Sequence, residues 1–151
     1  MNKHEAISKF HEFALVNEVI DFDQLAEIFS NLAPLNTNEI LGSWKGGFFK
    51  TGKLIDLTLR DYGIIKWVGK HYISENKVKA LKYKFLGLTF SFPIIGRARI
   101  RHVEFRDKMS TAMIYNHLPI IDHFRRVDDS TLMGVMDFKG RIVLYFYLYR
   151  S

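Results

Sequence analysis

The sequence predicts an α+β fold, mainly an antiparallel β-barrel with N-terminal helices packed outside it, and three observations carry that reading. Up to Leu41 the apolar residues recur at three- and four-residue steps, the helical period; beyond Gly42 most segments alternate, the strand period. Turn signals divide the later segments into hairpins, at Asp107-Lys108 and Lys139-Gly140. The last segment, residues 142–150, sets Tyr145, Tyr147 and Tyr149 on one face and Leu144, Phe146, Leu148 and Arg150 on the other. Both faces can bury apolar area, which fits a closed sheet with a further layer outside better than a solvent-facing edge. One domain spanning 1–151 is expected, with 1–41 helical and 42–151 forming the barrel.

Taken in order, residues 4–18 place Ile7, Phe10, Phe13, Ala14 and Val19 on one helical face. Asp21 reads as the N-cap of a second helix carrying Phe22, Leu25, Ile28, Phe29 and Leu32, which Pro34 ends. Asn36, followed three residues later by Glu39, has the form of a capping box for one more turn. Gly42-Ser43-Trp44-Lys45-Gly46-Gly47-Phe48-Phe49 reads as a strand entered through a bend, with Trp44 plugging one end of the core. After a turn at Thr51-Gly52-Lys53, residues 54–60 fit both periods, and Gly63 closes them either way. Residues 64–73 look extended, with Gly69 marking a bulge or a close backbone approach, and residues 77–84 alternate. Residues 85–95, interrupted by Gly87 and Pro93, read as a loop or a lid over a cavity. Residues 97–106 and 109–115 form a hairpin, residues 116–127 a structured excursion with helix-like spacing, and residues 131–138 and 142–150 a second hairpin.

Composition narrows the function classes. There are no cysteines, so disulfide and thiolate chemistry is excluded. No apolar run approaches the roughly 18–20 residues of a membrane helix, and Met1 to Glu5 is not followed by a signal-type apolar stretch, so a cytoplasmic protein without membrane insertion is expected. The net charge of +6 comes from scattered lysines and arginines with no nucleic-acid-binding motif, which reads as solvated faces rather than a nucleic-acid surface.

Two places concentrate chemistry. Arg97, Arg99 and Arg101 share one strand face, which reads either as a solvated stripe, where arginines usually sit, or, with the tyrosine stripe, as the lining of a pocket in which Arg99 and Arg101 anchor a carboxylate. Residues 115–126 bring Tyr115, Asn116, His117, Asp122, His123, Arg125 and Arg126 together, and Asp122 beside His123 is a candidate acid–base pair with Arg125 nearby. The alternative is structural, Asp122 accepting loop hydrogen bonds or pairing with Arg125. His102, His117 and His123 lack metal-ligand spacing, and Gly46-Gly47 lacks a Walker lysine, so neither metal nor cofactor is expected.

Gly42-Ser43-Trp44-Lys45-Gly46 followed by Thr51-Gly52 resembles the signature of the bacterial GXWXG family. Ala98-Arg99-Ile100-Arg101, residues 110–115, residues 119–125 and residues 132–137 resemble its C-terminal domain of unknown function. The likeness spans about Phe22 to Arg150 and brings no activity with it. This chain has Lys53 where the family tends to have histidine, and Asn116 where an aspartate is usual after the tyrosine. A fold-level likeness to lipocalins and intracellular lipid-binding barrels implies that Arg150 packs on Trp44.

The expectation is a lipocalin-like barrel, a binding module before an enzyme, for a small apolar partner with a polar or acidic head such as a fatty-acid-like lipid. Trp44, Arg99, Arg101, Tyr115, Asn116 and Tyr147 are its candidate ligand residues. The alternatives are an isomerase, cyclase or hydrolase using Asp122 and His123, and a structural or assembly protein.

Overall fold

The computed structural model describes residues 1–53, 65–85, 88–91 and 96–151, with the backbone alone at 65–68, 80–85 and 88–91. The two-period stretch at 54–60 and Gly63 therefore lie outside the described residues, as do residues 86, 87 and 92–95 of the expected loop, whose described residues, 85 and 88–91, are strand instead.

Helix α1, Lys3–Leu15, starts at a capping box: Asn2 Oδ1 accepts from the Glu5 amide and the Glu5 carboxylate accepts from the Asn2 amide. It buries Ala6 and Phe10 and ends before Val19, which is exposed instead of completing the expected apolar face. Helix α2, Phe22–Asn31, is capped as expected by Asp21, whose carboxylate accepts from the Asp23 and Gln24 amides. The Asn36–Glu39 box opens a single 3₁₀ turn, Thr37–Ile40.

The strands are β1 Gly42–Phe48, β2 Ile65–Ser74, β3 Lys77–Phe85, β4 Leu88–Ser91, β5 Arg97–Phe105, β6 Lys108–Tyr115, β7 Ile120–Asp128, β8 Thr131–Phe138 and β9 Arg141–Arg150. They pair in the order β2-β1-β9-β8-β7-β6-β5-β3-β4, every ladder antiparallel. A further β2–β3 ladder joins the two ends, so all strands except β4 form a closed barrel. Strand β4 adds to the far half of β3, and β5 meets β3 only at Val78 and Lys79.

Both hairpins expected late in the chain are present. Arg106 and Asp107, at φ 48° and 60°, make the first turn, one residue earlier than Asp107-Lys108; Lys139 and Gly140, at 51° and 84°, make the second. Residues 116–127 are not the excursion expected. From Ile120 they are β7, laddered to β6 and β8. Ile120, Ile121 and Phe124 mimicked a helical period because this strand has buried residues on both faces. Gly69 is a close approach, since a Cβ there would fall 2.0 Å from the Trp44 carbonyl oxygen, and the β2–β3 register shifts on either side of it.

Two apolar layers follow from this closure. Trp44, Tyr72, Val78, Ala98, Ile100, Met113, Tyr115, Phe124, Leu132, Leu144, Phe146 and Leu148 fill the interior. Phe10, Leu25, Ile28, Phe29 and Leu32 of the helical segment pack outside on Phe49, Val127, Met133, Val135 and Tyr145. Among the described residues no helix is long and apolar enough to cross a membrane.

Candidate functional site

Strands β2 and β7 stand opposite each other in the ring: the path through β1, β9 and β8 is as long as the path through β3, β5 and β6. Lys70 and Tyr72 of β2 share the inward face, and so do Asp122 and Phe124 of β7. Lys70 Nζ donates to Asp122 Oδ2 across the interior, with the two side chains only 3% and 0% exposed. The ammonium also lies 4.5 Å from the Phe146 ring centroid, and Tyr72 meets Phe124 edge-on at 6.2 Å. A polar strut and an aromatic contact thus span the barrel side by side.

The strut leaves two groups unanswered. Asp122 Oδ1 and the Tyr72 hydroxyl are buried without a hydrogen-bond partner among the described residues, although buried polar groups nearly always have one. Burial pushes the Asp122 pKa up and the Lys70 pKa down, each opposed by the partner's charge, so both shift toward their neutral forms. Burial and the Asp122 charge raise Tyr72 well above its usual value, keeping it a neutral phenol that can donate. On the same face as Asp122 are Ile120 two residues away and Met136 directly across the ladder, both only half-buried. With Phe48, Leu118 and Val143 they make an apolar rim against the interior cluster.

The expected site residues separate on this geometry. Trp44 and Tyr115 are interior; the Trp44 indole N–H donates to the Ile40 carbonyl at 2.7 Å and its ring stacks under Arg150, with Cζ 4.2 Å from the centroid. Arg150 further donates to the carbonyls of Leu41 and Glu39, which fixes Trp44 as the closure of one end. Arg99 and Arg101 do not reach the interior: β5 turns Ala98 and Ile100 inward, and the alternating arginines point out. Arg99 bonds Asn116, itself exposed, and Arg101 bonds Asn76 and the Glu75 carbonyl. Tyr147 is likewise external, packed edge-on against Phe49 and Phe10 under α1.

Asp122 and His123 cannot act as one acid–base pair, because adjacent strand residues face opposite sides of the sheet. His123 stacks on Phe105 at 3.9 Å outside the barrel, and Arg125 lies on that same outer face against Phe29. Asp122 pairs with Lys70, not with Arg125. Lys70 and Tyr72 are the buried polar groups that local sequence patterns do not single out. Their signal is weak, a lysine and a tyrosine at period two in a strand that also carries Lys66, His71 and Ser74. Among the described residues no three His, Asp or Glu side chains converge to hold a metal ion.

Fold and site together define a small closed antiparallel barrel with external helices and a buried charged strut. Residues 27–84 match the GXWXG protein family and residues 96–150 match the Domain of unknown function (DUF4334). A crystal structure of a protein from Thermomonospora curvata matches with a TM-score of 0.86 and 36% identity, covering 97% of this chain and 99% of that one. The chain belongs to the GXWXG family with its C-terminal DUF4334 domain. No curated protein matches it.

Proposed function

We propose that the barrel binds one small, mainly apolar molecule whose neutral polar head sits against Asp122 Oδ1 and the Tyr72 hydroxyl. The observation that carries the reading is that pair of unanswered groups, an acceptor and a phenol, buried beside a half-buried apolar rim. A head that both donates and accepts, such as an alcohol, a primary amide or a protonated carboxylic acid, answers both. An ionised carboxylate is disfavoured: Lys70 is already neutralised by Asp122, and Arg99 and Arg101 point away. The preferred ligand is therefore the alcohol or amide counterpart of a fatty-acid-like lipid.

The test is a thermal-shift series at one chain length, comparing the fatty alcohol, amide, acid and alkane, with native mass spectrometry of protein taken straight from the expression host. The alcohol and amide should stabilise most, and Tyr72→Phe should reduce their shifts while leaving the alkane's unchanged. If no member of the series stabilises the protein and the host protein carries no small molecule, the reading fails.

A further inference from the structure

A second polar cluster lies on the outer face of the sheet, beneath α2, and is independent of the interior. Arg125 is fully buried there: Nη2 donates to the Phe105 carbonyl at 2.6 Å and Nη1 to the Phe124 carbonyl at 3.2 Å, while Nε has no partner among the described residues. Arg106, from the β5–β6 turn, donates through Nη2 to the Tyr145 hydroxyl at 2.9 Å, and its buried Nη1 has no partner among the described residues. Both guanidinium carbons lie against Phe29, at 4.8 and 5.7 Å from the ring centroid. Lys108 adds a third positive charge, its Nζ held by the carbonyls of Ser30 and Leu32 at the end of α2. The His123 ring covers Phe105, with Nε2 3.6 Å from Asp137, too far for a hydrogen bond.

Among the described residues no carboxylate pairs with Arg106, Lys108 or Arg125. Burial and the neighbouring Arg106 bring the Arg125 pKa down to about 10, and burial with the Arg125 charge lowers Lys108. Buried charge of one sign with unmade hydrogen bonds is an unfavourable arrangement that an anion relieves. Guanidinium N–H groups are also the usual partners of planar or tetrahedral oxyanions.

We propose that this cluster is a binding site for a small oxyanion, a phosphoryl or carboxylate group, held between Arg106 Nη1 and Arg125 Nε. The half-buried Arg106 side chain at the turn gives the anion its way in, and the rings of Phe29 and Phe105 form apolar walls. The site is separated from the interior by the sheet, so it neither needs nor competes with the barrel ligand.

Thermal unfolding of the full chain at fixed ionic strength and neutral pH tests it, with chloride replaced stepwise by phosphate or by acetate. Either oxyanion should raise Tm saturably above chloride, phosphate more for a phosphoryl ligand and acetate more for a carboxylate. Arg106→Gln removes one charge-assisted hydrogen bond and should weaken the apparent affinity by about 10- to 100-fold, whereas Lys139→Gln at the distant β8–β9 turn should leave it unchanged. An independent readout is His123, whose pKa is lowered by burial and, against the pull of Asp137, by Arg125 and Arg106. NMR titration should show that pKa rising when the oxyanion binds in the wild type and less in Arg106→Gln. Equal Tm in chloride and both oxyanions, or a response that survives Arg106→Gln intact, overturns the proposal.

Discussion

Replacing Lys70 with methionine isolates the strut. Its Asp122 partner is 0% exposed and is surrounded on its face by Met113, Phe124, Ile120 and Met136, and among the described residues no second cation pairs with it. Breaking one member of a buried pair leaves an uncompensated charge and costs about 3–5 kcal/mol. That is a large part of a domain stability of about 5–15 kcal/mol. The loss has a pH signature. Lys70 is what pulls the Asp122 pKa down against burial, so without it the folded-state pKa rises further above the ordinary 3.8. A group raised in this sense contributes fully below its unfolded pKa, and the contribution disappears as pH climbs through the folded pKa. The deficit of Lys70→Met should therefore be small near pH 4 and grow toward pH 7, read from urea midpoints across that range. The double variant Lys70→Met/Asp122→Leu removes both charges and should recover most of the loss at pH 7, matching or exceeding wild type. A deficit that is flat with pH, together with a double variant no more stable than Lys70→Met, would refute the reasoning.

Three further outcomes are expected. Gly69→Ala drives a methyl into the Trp44 carbonyl, a backbone atom that cannot step aside, and should cost at least about 1–3 kcal/mol by chemical denaturation. Ser110→Ala removes a buried hydroxyl that donates to the Phe124 carbonyl and accepts from the Leu35 amide, so a loss of about 1–3 kcal/mol is expected in the same assay. Arg150→Ala uncovers Trp44 and frees the carbonyls of Leu41 and Glu39; a loss of about 1–2 kcal/mol with a red shift of tryptophan emission should follow, and unchanged emission would show that the stack does not shield the indole.

The architecture was legible wherever local chemistry decided it. Asp21 and the Asn36–Glu39 box mark real helix starts because capping involves residues two or three apart, and the second hairpin turns at Lys139-Gly140 because positive φ is a property of the turn itself. The final strand was read correctly as buried on both faces. What alternation could not say was which face was inside. The tyrosine stripe was given to a pocket, whereas the helices claim it, and Phe22 and Phe29 meet Tyr145 edge-on. Strand β7 failed for a related reason: with polar and apolar residues buried on both sides, it offers no clean period. The Lys70–Asp122 strut joins residues 52 apart in sequence, and no local rule announces such a meeting. Asp122 was picked out for its neighbours in the chain, yet its partner was on the far side of the barrel.

The way the barrel closes has a kinetic consequence. Around most of the ring adjacent strands share long ladders, but β5 touches β3 at only two positions, Val78 with Ala98 and Lys79 with Arg97, helped by the Ile100 amide donating to the Glu75 carbonyl at 2.7 Å. Among the described residues, parting that seam breaks few ladder hydrogen bonds; β6 and β7 also share a short ladder, at Ala112, Met113 and Ile114, whereas β7–β8 and β8–β9 pair along their full lengths. Amide exchange should therefore divide the barrel unevenly: protons along the seam escape through a shallow local opening, and those of β8 and β9 wait for global unfolding.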